Sequence, residues 1–510
     1  MIGIETEYGI WVEGKGAQDL VSEATYLVQG CPPPAIAGRW DYTREHPRRD
    51  VRGFTVSQLS IDPTDAQFEQ AGSPHSTDVE VRADRVLPSG ARLYNDHGHP
   101  EFATPECTSL RELLAHDRAG ERWMQTLAER RSHKLGGTPV ALYKNNTDFH
   151  GASYGTHESY LFARAVPFDD VIQSLLPFFT TRQIFAGAGK VGSENGAPKT
   201  DFQLSQRADF FSTIASVDTL YNRPLINTRD EPHADARRFR RLHVICGDAN
   251  LCEVATLLKC GTTLLILRLL EQGWRPEGVA LADPVAAVKQ ISHDPTFQWL
   301  VARASGGSIG AVEIQRVYLS GAKERLTGLS PETDLVLTEW EAVLNALETD
   351  PLSLDGTLDW VTKRQLLDGF REAEGLRWDD AHLQSLDLEY HNVDPGAGLY
   401  LALEQEGHVR RIVEEPEILA ALKNPPAGSP RAIARGIAAC RFPDAVKRVT
   451  WSRITLEEPG GQSKNVSLAA LGEADPAAVS TALRDVQMPA EFIATLEGLT
   501  HSADNVSEEE

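Results

Sequence analysis

Glu5 and Glu7 stand two apart in the opening segment Gly3-Ile4-Glu5-Thr6-Glu7-Tyr8-Gly9. In an extended strand that spacing puts both carboxylates on one face, about 7 Å apart, and leaves Ile4, Thr6 and Tyr8 for a core on the other. Two carboxylates side by side repel unless a cation lies between them, and a hard divalent ion that prefers oxygen ligands suits the pair. Taken alone, the seven residues fit the solvated face of an edge strand better. A second acidic strand changes the balance. In residues 90–106, GARLYNDHGHPEFATPE, alternation sets Arg92, Tyr94 and Asp96 on one face with Ala91 and Leu93 opposite. Gly98 and Pro100 then break the strand, and Glu101, Thr104 and Glu106 follow on the next segment.

Tyr94, His157 and His243 add polar groups to these carboxylates, and Arg92, Arg207 and Arg241 add fixed positive charge. Carboxylates would hold a metal, the metal would hold phosphate oxygens, and arginines would clamp the phosphates from the far side. That chemistry suits a nucleotide lying over an open antiparallel sheet without a glycine-rich loop. The plainer alternatives are a surface ion pair for each arginine and a hydrogen-bonded core histidine for His157 or His243. Gly187-Ala188-Gly189-Lys190 imitates a phosphate loop only superficially. Ile184 stands where the first glycine is required, and no Ser or Thr follows Lys190.

The elements that must position these groups form an α+β pattern, strands first and helices later. Helices are expected over 17–28, from Ser109 to about 131, and over 251–271, 284–292, 311–326, 334–347 and 359–373. Ser109 and Glu112 make a capping box for the second of these. Extended segments are expected at 139–145, 157–165, 241–246 and 449–454. Residues from about 38 to 82 show little periodicity and read as an insert or lid, with Trp40, Tyr42 and Phe54 as anchors. Asn424-Pro425-Pro426-Ala427-Gly428-Ser429-Pro430 reads as a linker, dividing a domain over 1–425 from a small unit over 426–502, and 503–510 is an acidic tail.

The 510 residues are 41% hydrophobic and 24% charged, as in an ordinary globular protein of more than one domain. A net charge of −23 argues against nucleic acid as a partner, although Arg237-Arg238-Phe239-Arg240-Arg241 is locally basic. The most apolar run, 257–270, is short and interrupted by Lys259 and Arg268, and no secretory signal opens the chain. A cytoplasmic protein with no membrane partner is therefore expected. Six scattered cysteines make a poor disulfide framework. His243 with Cys246, Cys252 and Cys260 lacks the paired spacing of a zinc site, so buried core cysteines are the better account.

Several long strings, GIETEYG, GARLYNDHGHPEFATPEC, SYGTHESYLFAR, QLSQRADFF, INTRDEPHADARRFRRLHVICGDANLCEVATLLK and VTWSRI, closely resemble the proteasome accessory factor A family. That family comprises the Pup ligase and the Pup deamidase/depupylase, and its fold is related to glutamine synthetase. The resemblance implies a large glutamine synthetase-like domain with an open antiparallel sheet covered by helices. The insert and the Asp96-His97-Gly98-His99-Pro100 spacing resemble the depupylase branch. Asn95, Gly98 and Ser159 depart from its usual pattern without removing a charge. The resemblance further implies Mg2+ held by Glu5, Tyr94 and Glu101, with Glu7, His157 and His243 completing a second site or its outer shell. ATP, bound but not stoichiometrically consumed, would meet Arg92, Thr104, Arg207 and Trp451, with Trp451 beside the adenine. Asp96 is the implied catalytic carboxylate, as nucleophile or as general base. The implied reactions are deamidation of Pup's C-terminal glutamine and cleavage of the Pup–lysine isopeptide bond, with Pup ligation or a non-catalytic Pup-binding scaffold as rivals. Expected partners are Pup, pupylated proteins and the proteasomal ATPase. Arg229 and the 237–241 cluster, Arg241 included, are candidates to receive acidic Pup.

Overall fold

The computed structural model describes all residues except 60–81, 150, 152, 220, 459 and 507–510. Part of the expected insert and the end of the acidic tail therefore lie outside the described residues. A seven-stranded antiparallel sheet organises the fold. In chain order its strands are β1 (Ile2–Glu7), β2 (Ile36–Ala37), β3 (Arg85–Val86), β4 (Arg92–Asp96), β5 (His99–Ala103), β6 (Thr156–Ala163) and β7 (Phe239–Gly247). They lie side by side as β7-β6-β1-β5-β4-β3-β2.

Register decides which groups meet. Glu5 is opposite Ala103 and His157, Glu7 is opposite Glu101, Glu101 is opposite Tyr94, and Ser159 is opposite His243. Paired residues share a face, so the acidic groups of β1, β4 and β5 and the histidines of β6 and β7 all rise from one side. The alternate residues Ile2, Ile4, Leu93, Phe102, Tyr160, Phe162, Leu242 and Val244 are buried on the other side, where the helices lie. Burial of each such side chain contributes about 1.5–3 kcal/mol and penalises any one-residue slip.

The long helix Leu110–Lys134 starts where Ser109 Oγ accepts the Glu112 N–H at 3.1 Å, and it buries Leu110, Leu113, Leu114 and Leu127, with Trp123 half-buried. The apolar helix begins at Glu253 rather than 251. The Asp359 carboxylate accepts the Leu251 and Cys252 N–H groups at 2.9 and 3.1 Å and holds them outside it. Cys252 and Cys260 are buried in the core and Cys246 packs against it.

The segment 449–454 is not one strand. Val446–Val449 and Arg453–Glu457 form an antiparallel pair, with Trp451 in the turn closed by Thr450 N–H to Arg453 O at 2.9 Å. With Ser463–Ser467 they make a small sheet whose core, including Val449, Ile454 and Phe492, is continuous with Ile36, Trp40 and Val86. The C-terminal segment is thus packed on the β2–β3 edge of the main sheet.

Candidate active site

Two clusters of ligand atoms form on the polar face, each within 4.8 Å: Glu5 with His157 and His243, and Glu7 with Asp96 and Glu101. The donors are thus divided differently from the expected Glu5–Tyr94–Glu101 set. Burial and the neighbouring Asp96, Glu7 and Glu5 push the Glu101 carboxyl well above its ordinary range, and Tyr94 stands opposite it in the ladder. Burial and Glu101 also push the Tyr94 phenol up, so it stays protonated beside the carboxylates. Burial opposes ionisation of Glu5, but His157, 3.6 Å away, and the Arg241 charge hold its pKa below the usual value.

His243 is 5% exposed and neither ring nitrogen has a hydrogen-bond partner, while Nε2 faces a Glu5 oxygen at 3.9 Å. Burial and then Arg241 hold its pKa well below the ordinary value, so the ring is neutral with a lone pair to offer. An unsatisfied buried imidazole aimed at a carboxylate fits a metal ion at this cluster. The mixed nitrogen and oxygen donors there differ from the all-oxygen Glu7–Asp96–Glu101 cluster, whose hard donors suit Mg2+.

Asp96 owes its place to a tight hairpin. His97 and Gly98 connect β4 to β5 with φ of 49° and 93°, the two positive values of a type I′ turn. Gly98 N–H donates to Asn95 Oδ1 at 3.0 Å and steadies the turn. Burial would raise the Asp96 pKa, but His97 and Arg82, each 3.1 Å from a carboxylate oxygen, hold it far below the usual range.

Beside the clusters opens a cleft lined by Gly3, Glu5, Thr104, Ser159, Arg241 and Trp451 among others. Thr104 Oγ1 accepts the Ile4 N–H at 3.0 Å, which fixes it on the cleft wall. Trp451 stands edge-on to Trp40 at 5.2 Å, with the Arg435 guanidinium 4.9 Å from its ring. Arg431 and Arg435 both pair with Glu106, so that carboxylate braces the cleft and is not among the metal-ligating groups.

The profile of the Pup-ligase protein family matches residues 1–455. The chain belongs to this family. The Pup deamidase/depupylase of Mycolicibacterium smegmatis is 41% identical, the match covering 90% of this chain and 92% of that protein. A Pup–protein ligase of Nakamurella multipartita is 43% identical over a shorter stretch, 73% of this chain and 84% of its own. The solved structure of the Pup ligase PafA with ADP superposes with a TM-score of 0.71 at 32% identity, covering 90% of this chain and 98% of that one.

In this member of the Pup-ligase family the expected arginines have separate surroundings. Arg92 is buried, paired with Asp84 at 2.7 Å, and lies between the rings of Trp40 and Tyr94. Arg207 is buried with its guanidinium on the Ile245 and Gly247 carbonyls, and its Nε has no hydrogen-bond partner. Arg241 reaches the site, with Nη1 3.2 Å from Ser159 Oγ and 3.9 Å from Glu5. Arg229 donates to Val217 O and Thr219 Oγ1. The 237–241 cluster is divided: Arg237 pairs with Asp235, Arg238 with Glu473, and Arg240 donates to Val166 O. Sequence reasoning missed Arg82, Asp84, Arg431 and Arg435, all in sites made by distant segments. Only the charges themselves signalled them. Among the described residues no helix is long and apolar enough to cross a membrane.

Proposed function

We propose that the chain is a nucleotide- and Mg2+-dependent amidohydrolase that deamidates the C-terminal glutamine of Pup and cleaves the Pup–lysine isopeptide bond, in the cytoplasm. The two reactions are chemically one. Each breaks an amide at the γ-carbonyl of Pup's last residue, with ammonia or a lysine amine leaving. The observation that carries this reading is Asp96 gathered with Glu7 and Glu101 in one cluster, with Arg82 and His97 each 3.1 Å from one of its oxygens. An ionised carboxylate there can attack the carbonyl to give an anhydride, or take a proton from an attacking water.

Glu7 and Glu101, with Asp96 at the edge, would hold Mg2+, and Glu5, His157 and His243 a second cation. Thr104 and Trp451 would take the nucleotide in the cleft, where the C-terminal segment forms one wall and neither Arg92 nor Arg207 is among the lining residues. When bound, the cation supplies positive charge against the oxyanion that forms on the amide carbonyl. Arg241 stands on the same face to add to that charge, while Arg82 and His97 hold Asp96 in place. Expected partners are Pup, its conjugates and the proteasomal ATPase.

The test is incubation with glutamine-ended Pup and with a Pup–lysine conjugate, each with ATP, with a non-hydrolysable analogue, and with no nucleotide. Ammonia release and free substrate protein in the first two conditions support the reading. Conjugate formation from glutamate-ended Pup without ammonia release would assign the ligase reaction instead, and binding without turnover would leave a scaffold.

A further inference from the structure

Each oxygen of Asp96 has its own neighbour, one from the turn of its own hairpin and one from the insert. Oδ1 accepts from Arg82 Nη1 at 3.1 Å, and Oδ2 faces His97 Nδ1 at 3.1 Å. Arg82 comes from the far end of the insert, and its guanidinium lies 4.8 Å from the ring of Tyr42 at the near end. The Tyr42 hydroxyl donates to Asp84 at 2.5 Å and accepts from Arg92 at 2.6 Å. Arg92 in turn lies 4.0 Å from the Trp40 ring and 3.7 Å from the Tyr94 ring. The two stems of the insert therefore meet over the polar face of the sheet, and their junction ends on Asp96.

An isolated aspartate turns freely about its side-chain bonds, whereas attack on an amide needs one oxygen aimed within a few tenths of an ångström. An exposed ion pair would contribute little to that aim. Arg82 is two-thirds buried and its guanidinium is stacked on Tyr42, so it loses little further freedom in holding Asp96.

We infer that Arg82 is a positioning residue, supplied by the insert, that orients Asp96 toward the γ-carbonyl of Pup, with Tyr42 holding Arg82 in line. The inference rests on the amidohydrolase reading above. It gives the insert stems a direct part in the chemistry.

The test uses the full chain with nucleotide and Mg2+, comparing wild type with Arg82→Ala, Arg82→Lys and Tyr42→Leu in cleavage of a Pup–lysine conjugate. For Arg82→Ala, kcat should fall by about 10–100-fold, as a misplaced catalytic group does. KM and nucleotide Kd should stay within about twofold on the same argument. Added guanidinium should restore part of the Arg82→Ala rate, and Arg82→Lys should retain more of it. Tyr42→Leu should lower kcat in the same direction but less. A wild-type kcat in Arg82→Ala overturns the inference, and so does a loss matched by nucleotide affinity and melting temperature with no guanidinium rescue. A wild-type chain that neither cleaves nor deamidates would instead overturn the amidohydrolase reading itself.

Discussion

Replacing Glu106 by Gln removes the carboxylate that Arg431 and Arg435 share, both of them buried. Burial raises the Glu106 pKa, but Arg435 and then Arg431 bring it down from the ordinary 4.5 to about 2. At about 1.4 kcal/mol per pH unit, that gap corresponds to roughly 3 kcal/mol of stabilisation. Leaving buried arginines without their counter-charge costs about 3–5 kcal/mol in comparable pairs, so roughly 3 kcal/mol is the low end. The folded pKa lies below the unfolded one. The stabilisation is therefore complete above about pH 4.5 and is lost as pH falls toward 2. Arg435 also donates to the Trp451 carbonyl at 3.0 Å and lies against its ring, so the same substitution loosens the cleft wall. Urea unfolding of wild type and Glu106→Gln should differ by roughly 3 kcal/mol at pH 7, and the gap should narrow by about a third near pH 3.5. Nucleotide affinity should fall by about tenfold, equivalent to about 1.4 kcal/mol. An unchanged urea midpoint with unchanged nucleotide affinity would refute the argument that this buried triad holds the cleft together.

Asp96→Asn keeps the shape and removes the charge, so both amide reactions should fall by at least about 100-fold while nucleotide Kd stays near wild type. An equal loss of nucleotide affinity in a calorimetric titration would make Asp96 a metal ligand instead. His243→Gln should weaken one of two Mn2+ sites by about 10–100-fold in an EPR titration. Two unaltered sites would count against the orphaned imidazole as a ligand. Arg229→Ala should weaken Pup binding and flatten its salt dependence, read by fluorescence anisotropy at several ionic strengths. Wild-type affinity and slope would remove Arg229 from the Pup surface.

The polar face was legible because strand alternation is a strict rule. Once Glu5 and Glu7, or Arg92, Tyr94 and Asp96, are placed two apart, any antiparallel pairing sets them side by side. The α+β class and most helices followed from the helical apolar repeat of about 3.6 residues in the later segments. Boundaries were less legible where a distant group intervened. Asp359 takes the N–H groups of Leu251 and Cys252 and shortens that helix. Trp451 belongs to a turn although its neighbours are strand formers, since β propensity says little about where a ladder reverses.

Pairing between remote charges was not legible at all, and it decides what the face can bind. Asp84 is matched by Arg92, Glu106 by Arg431 and Arg435, and Asp96 by Arg82 and His97. Glu7 accepts the Gly155 N–H at 2.5 Å, and neither Glu7 nor Glu101 has an ion-pair partner within 4 Å among the described residues. Two such carboxylates at the centre of the face can both be ionised only at a cost in repulsion, which together with burial is what raises the Glu101 pKa. Positive charge from outside the chain removes that cost. The acids that the chain leaves unmatched, rather than the total of −23, are therefore where the divalent cation of the proposed reaction is expected.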